Sequence, residues 1–208
     1  MRRLLLLLTI AACLTAADDR IKVDNEYVRV IDAVQAPHVK GVLHRHEANR
    51  VMVYLDAVDL VVTHEDGRVE KQHWNAGQVA WAPAGGMHTS ENVGALPGRV
   101  IEVEIKRPAP ARPPARNRAL DPIALDPRHN VLLFNNPQVR VFRSWREPGG
   151  TEMMHEHPAP GRLAVMLTDL DAGPQHASRG EALWSGAVTH ATTNPGHQPF
   201  EMIVIEIK

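Results

Sequence analysis

Apolar and polar side chains alternate with a period of two along much of this chain. Val28-Arg29-Val30-Ile31, Val51-Met52-Val53-Tyr54-Leu55, Leu60-Val61-Val62-Thr63-His64 and Val100-Ile101-Glu102-Val103-Glu104-Ile105 are short and rich in β-branched residues. Alternation of this kind presents one face to a core and the other to a second environment, the signature of a half-buried strand. Glu65-Asp66-Gly67-Arg68 supplies a hairpin turn between two such runs. No stretch after the first seventeen residues sustains a 3.6-residue apolar stripe. The pattern predicts an all-β protein of many short strands, arranged as a sandwich or small barrel.

The first seventeen residues differ in kind. Met1-Arg2-Arg3 is a basic start, Leu4–Ala12 is an apolar run broken only by Thr9, and Thr15-Ala16-Ala17 offers small residues before Asp18-Asp19. That order is the pattern of a cleaved secretory signal, and residues 1–17 are expected to be one. The run is well short of the ~20 residues that span a bilayer as a helix. Ile10-Ala11-Ala12-Cys13 is also similar to a bacterial lipobox, so a lipid anchor at Cys13 is the second alternative. Both place the protein outside the cytoplasm, in a bacterial periplasm. Cleavage after Ala17 removes the only Cys, which leaves His and carboxylate as metal ligands.

Composition narrows the partners. With 23 basic and 24 acidic side chains in 208 residues the formal net charge is −1, which offers no basic face for nucleic acid. Aromatic residues make up 4%, too few for a base-stacking platform. A small molecule is the expected partner, and a homo-oligomer is left open.

The chain repeats itself. Asp24–His46 aligns without a gap on Asn135–His157, with Asn25, Val28, Arg29, Val30, Pro37, His44 and His46 recurring as Asn136, Val139, Arg140, Val141, Pro148, His155 and His157. Asn92–Lys106 aligns on Asn194–Lys208, and between these blocks Gly77 and Trp81 answer Gly180 and Trp184 after a deletion in the second copy. Two tandem domains follow, residues 18–106 and 129–208. Residues 107–128 join them, opening with four prolines between Arg107 and Pro114 that favour an extended chain.

Histidines sit where the copies agree. His44-Arg45-His46 and His155-Glu156-His157 put two imidazoles on one face of a strand, and each pair is followed by a third, His88 and His190. With 12 His in 208 residues, one His-x-His pair is expected by chance about 0.7 times. Two pairs in register, each with a matched third His, are far less probable. If the strands face one another across a barrel, each trio converges on one divalent metal and leaves positions open for substrate. The remaining histidines, among them His38, His64, His73, His129, His176 and His197, lack this pattern and read as solvated or incidental.

These residues resemble the two motifs of the cupin superfamily. The second, G-x5-P-x-G-x2-H-x3-N, is matched at every fixed position by Gly77, Pro83, Gly85, His88 and Asn92, and in worn form by Gly180, His190 and Asn194. The first keeps both His in each copy. The resemblance covers about residues 24–106 and 135–208. It implies two small jelly-roll barrels of the double-stranded β-helix type, with His44, His46 and His88, and His155, His157 and His190, as metal ligands.

Where the family places its glutamate ligand, this chain has Arg50 and Arg162, whose guanidinium groups have no lone pair to donate. They are candidates to hold a substrate carboxylate in a bidentate fork, or else they pair with a neighbouring acid or turn outward. Glu47 and Glu156 belong on the opposite face from the His pairs. Cupins with three His and no Glu resemble iron(II) dioxygenases. One metal per domain is therefore implied, iron(II) ahead of zinc, manganese or nickel. A non-catalytic binder of a sugar or organic acid, and a zinc lyase or hydrolase, are the alternatives.

Overall fold

A computed structural model describes residues 20–172 and 175–208. The expected signal and Cys13 lie outside them. The first unit contains β1 (Ile21–Asp24), β2 (Val28–Gln35), β3 (His44–His46), β4 (Asn49–Tyr54), β5 (Val58–His64), β6 (Val69–Trp74), β7 (Val79–Ala82), β8 (Gly85–Asn92) and β9 (Gly98–Ile105). The second contains β10 (Asn130–Asn135), β11 (Val139–Arg146), β12 (Thr151–His157), β13 (Gly161–Met166), β14 (Leu170–Ala172), β15 (Gln175–Ala177), β16 (Ala182–Ser185), β17 (Val188–Thr193) and β18 (Phe200–Ile207). The fold is all-β, of jelly-roll type. No described helix is long and apolar enough to cross a membrane.

Each unit builds the same five-stranded sheet, ordered β1-β2-β9-β4-β7 in the first and β10-β11-β18-β13-β16 in the second. Period-two alternation then assigns two jobs to each strand. Val51, Val53, Ile101, Val103 and Ile105 pack with Leu163, Val165, Ile203, Ile205 and Ile207 in a single buried cluster that spans both units. The two large sheets therefore share one apolar core. The intervening residues, Arg50, Met52, Tyr54 and Glu102 in the first unit, Arg162, Met202 and Val204 in the second, turn to the interior of their own unit.

Aromatic rings close the seam reciprocally. Tyr27 stacks on Trp184 at 5.6 Å, and Phe134 meets Trp81 edge-on at 6.5 Å. Gly77 and Gly180, the pair shared by the copies, adopt φ of +80° and +84°. A Cβ there would lie 2.8 Å from Arg143 and 2.7 Å from Arg99, each an arginine of the other unit. Glycine is required twice over, for the left-handed turn and for the close approach. Buried Asn92 and Asn194 hold equivalent turns, each donating Nδ2–H to two carbonyls and accepting from the amide of Gly94 or Gly196.

The units differ opposite the large sheet. In the first, β3-β8-β5-β6 forms a four-stranded sheet, whereas among the described residues of the second the pairs β12-β17 and β14-β15 stand in its place. The segment between the units is not extended throughout. A 3-10 turn (Arg118–Leu120) and one helical turn, α1 (Pro122–Leu125), follow the prolines, each capped by a side chain, Asn117 and Asp121. An Asp N-cap with Pro at the first helical position overrides the extended tendency of the preceding residues.

Because one core serves both units, they are expected to unfold together. Ile203→Ala, which empties part of that core, should cost about 3 kcal/mol and lower the midpoint reported by Trp74 in the first unit as much as that reported by Trp145 in the second. Fluorescence of single-tryptophan variants in urea checks this, and two separated transitions would contradict it.

Candidate metal centres

Both trios assemble. The ligand-capable atoms of His44, His46 and His88 lie within 4.8 Å of one another, as do those of His155, His157 and His190. The route to convergence differs from the one the spacing suggested. The third histidine is not across the barrel: His88 is the direct cross-strand partner of His44, and His190 of His155. Antiparallel neighbours stand about 5 Å apart, so pairing alone brings the rings together.

The rings are oriented for ligation. In the first unit His44 Nδ1–H donates to the Val42 carbonyl at 2.9 Å, which turns its Nε2 lone pair toward His46 Nε2, 3.0 Å away. Two nitrogens each about 2.1 Å from one ion lie roughly 3.0–3.4 Å apart. In the second unit His155 Nδ1–H donates to the Met153 carbonyl at 2.9 Å, and His157 Nδ1–H donates to Glu206 Oε1 at 2.8 Å. His190 Nε2 is buried with no hydrogen-bond partner. A buried orphan nitrogen beside two oriented imidazoles fits a divalent cation, which supplies the missing partner.

Burial disfavours charge on four of the six rings. Burial pushes His46 down to about 3, helped by the charge of Arg50. It pushes His190 down to about 4, helped by His155 and Arg162. His88 and His157 are lowered too, burial again leading. Burial opposes ionisation of Glu206, but the hydrogen bond from His157 and the charge of Arg116 prevail and hold its carboxyl below the usual range.

The surroundings divide the two centres. The first triad stands in a cavity of about 500 Å³ whose walls include Arg50, Met52, Tyr54, Leu60, Val62, Trp74 and Trp81. Among the described residues the space beside the second is about 10 Å³. Arg50 is buried and its Nη1 bonds Glu102 Oε2 at 2.7 Å, so it pairs with an acid, while its Nε has no partner. Arg162 also lines its interior, with Glu152 and Glu206 as the opposing charges. Glu47 instead pairs with Arg45 at the surface, away from the triad.

Four groups escape a reading of the sequence. His64, taken above as incidental, lines the first cavity as the cross-strand partner of His88, with its ring 6.1 Å from that of His88 and Nε2 3.3 Å from Glu70. It follows from extending the ladder of His44 and His88 by one strand, which requires the strand order. Glu102 and Glu206 sit on strands whose alternation marks them as inward, the available signal. Glu152 is hidden by a β-bulge: three residues before His155 it belongs on the opposite face, but the register shift between them swings it inward, 3.7 Å from His155 Nε2.

No family model matches the chain, and no curated protein matches it. Solved structures do. AerE from Microcystis aeruginosa is 16% identical over 88% of this chain and 94% of its own, with a TM-score of 0.60. A variant of Bacillus subtilis oxalate decarboxylase is 12% identical over 87% of this chain and 69% of its own, at 0.61. A cupin 2 conserved barrel domain protein from Leptotrichia buccalis is 15% identical over 89% and 86%, at 0.52. The fold is cupin-like, repeated in two units. At these identities the likeness concerns fold alone, and each His triad could hold a metal ion.

The lowered imidazoles set a pH dependence. The unfolded chain takes up protons on His46 and His190 near the ordinary value of 6.5, while the folded chain refuses them down to about 3 and 4. Stability of the chelator-treated protein is therefore full above pH 6.5 and lost as pH falls toward 4. Urea midpoints measured with EDTA from pH 7.5 to 4.5 should decline across this window. A flat profile would mean that the rings are solvated and freely protonated.

Proposed function

We propose that the first unit is the working centre of a mononuclear metalloenzyme, an exported iron(II) dioxygenase acting on a small oxygenated or carboxylated molecule. One observation carries the reading: three convergent imidazoles, with no carboxylate among them, stand in a cavity of about 500 Å³. That volume lies within the range that holds small ligands. An iron(II) ion held by three neutral nitrogens keeps its positive charge and open positions, and so can bind an anionic chelating substrate and oxygen together.

The residues of the chain have separable roles. His44, His46 and His88 would hold the ion. Arg50, already engaged by Glu102 through Nη1, has Nε–H left to orient an acidic group of the substrate. Trp74, stacked on Tyr54 at 4.5 Å, gives the cavity a flat apolar wall together with Met52 and Val62. Burial and the nearby Glu102 raise Tyr54, so its phenol stays protonated in the cavity.

A second reading has a specific observation behind it. His64 and Glu70 place an imidazole and a carboxylate side by side in the same cavity, side chains of the kind a zinc lyase or hydrolase uses. Manganese is a third metal to test, since Mn(II) centres are described for the Bacillus oxalate decarboxylase.

Anaerobic reconstitution with iron(II), followed by oxygen uptake over a panel of diketones, thiols and ring-hydroxylated aromatic acids, tests the proposal. Iron-dependent uptake with at least one of them is expected, falling more than a hundredfold in His46→Gln with the circular dichroism unchanged. Turnover by the zinc form without oxygen would replace this reading with the second. Arg50→Gln should weaken carboxylate ligands five- to tenfold more than neutral ones of the same shape. Equal loss for both would remove Arg50 from substrate binding.

A further inference from the structure

We propose that the second triad is a sealed structural metal centre, closed by the segment that joins the two units, and that substrate never reaches it. The sequence repeat makes the two triads look equivalent. Their surroundings do not. His155 and His157 are 2% and 3% exposed, whereas all three histidines of the first triad are only half-buried. A free volume of about 10 Å³ is close to that of one water, with no place for an organic ligand.

The filling is in the sequence. Where the first unit has Ile31, the repeat supplies Phe142. The Phe142 ring lies parallel to that of His157 at 6.3 Å and takes the space a substrate would need.

The joining segment completes the closure from two directions. Arg116 reaches from it to Glu206 Oε2 at 2.7 Å, and Glu206 in turn accepts from His157 Nδ1–H. On the other side, Asn130 Nδ2–H donates both to the Pro122 carbonyl at 3.0 Å and to Glu152 Oε1 at 2.7 Å. The other oxygen of Glu152 is the one 3.7 Å from His155 Nε2. His157 is thus tied through buried Glu206 to Arg116, and Glu152, held by Asn130, stands beside the ligating nitrogen of His155, so the joining segment covers the way out for an ion. Buried carboxylates are costly unless they face positive charge. Here Arg116 and Arg146 face them from outside the triad and a cation would face them from inside.

Release of metal from the full-length protein tests this without reference to activity. The chain is loaded with zinc and challenged with excess EDTA, and the zinc remaining on it is followed in time. Two ions per chain are expected, one leaving at least a hundredfold more slowly than the other. His190→Gln should abolish the slow phase alone, and His46→Gln the fast phase alone. Arg116→Ala should accelerate the slow phase at least tenfold without changing the fast one, and Arg116→Lys should restore part of the retention. A single release phase for both ions, a slow ion that survives His190→Gln, or a slow phase indifferent to Arg116→Ala would each overturn the inference. A chain showing only the slow phase would uphold it and overturn the metal centre proposed for the first unit.

Discussion

Face-to-face packing of two five-stranded sheets into one apolar core is the constraint on which the rest of the molecule depends. It consumes every second residue of β4, β9, β13 and β18. Val51, Val53, Ile101 and Val103 face their counterparts Leu163, Val165, Ile203 and Ile205. The residues between them have no choice but to line the interior of their own unit. Arg50 and Glu206 are buried, and Glu102 and Arg162 half-buried, beside imidazoles because their neighbours are buried against the other unit. Burying Arg50 and Glu206 is tolerable since each has an opposite charge within reach.

A duplicated frame of this kind lets the two interiors diverge while the shared face is held fixed. The first unit keeps a long β5–β6 hairpin, whose Leu60, Val62, Glu70 and Trp74 form a wall set back from the histidines. In the second, that hairpin shrinks to β14 and β15, Phe142 packs beside His157 and the joining segment docks on the outside. The same three imidazoles stand in a roomy cavity in one case and in close packing in the other. Ligand identity alone therefore does not decide what a metal centre does. The volume left beside it does.

Much of the site was legible because the chemistry is local and repeated. His44 with His46, and His155 with His157, share a strand face by the two-residue period. The recurrence of Gly77, Asn92, Gly180 and Asn194 marked turns whose backbone needs those side chains. Other residues were hidden for identifiable reasons. A bulge reverses the face of Glu152, so counting by two sends it outward. Arg116 belongs to a proline-rich segment whose composition speaks of a spacer, and its partner Glu206 lies ninety residues away. His64 matters only because β5 pairs with β8 on the side that β3 leaves free.

The sequence by itself determined the strands, the duplication, the six histidines and the absence of a Cys ligand after Cys13, because periodicity, repetition and side-chain chemistry are properties of the chain alone. Tertiary structure decided which acid faces which arginine, how the two sheets merge into one core and how much space remains beside each triad. Those are sums over side chains brought together from distant positions. A cavity is the volume that packing fails to fill, and no single stretch of chain carries it.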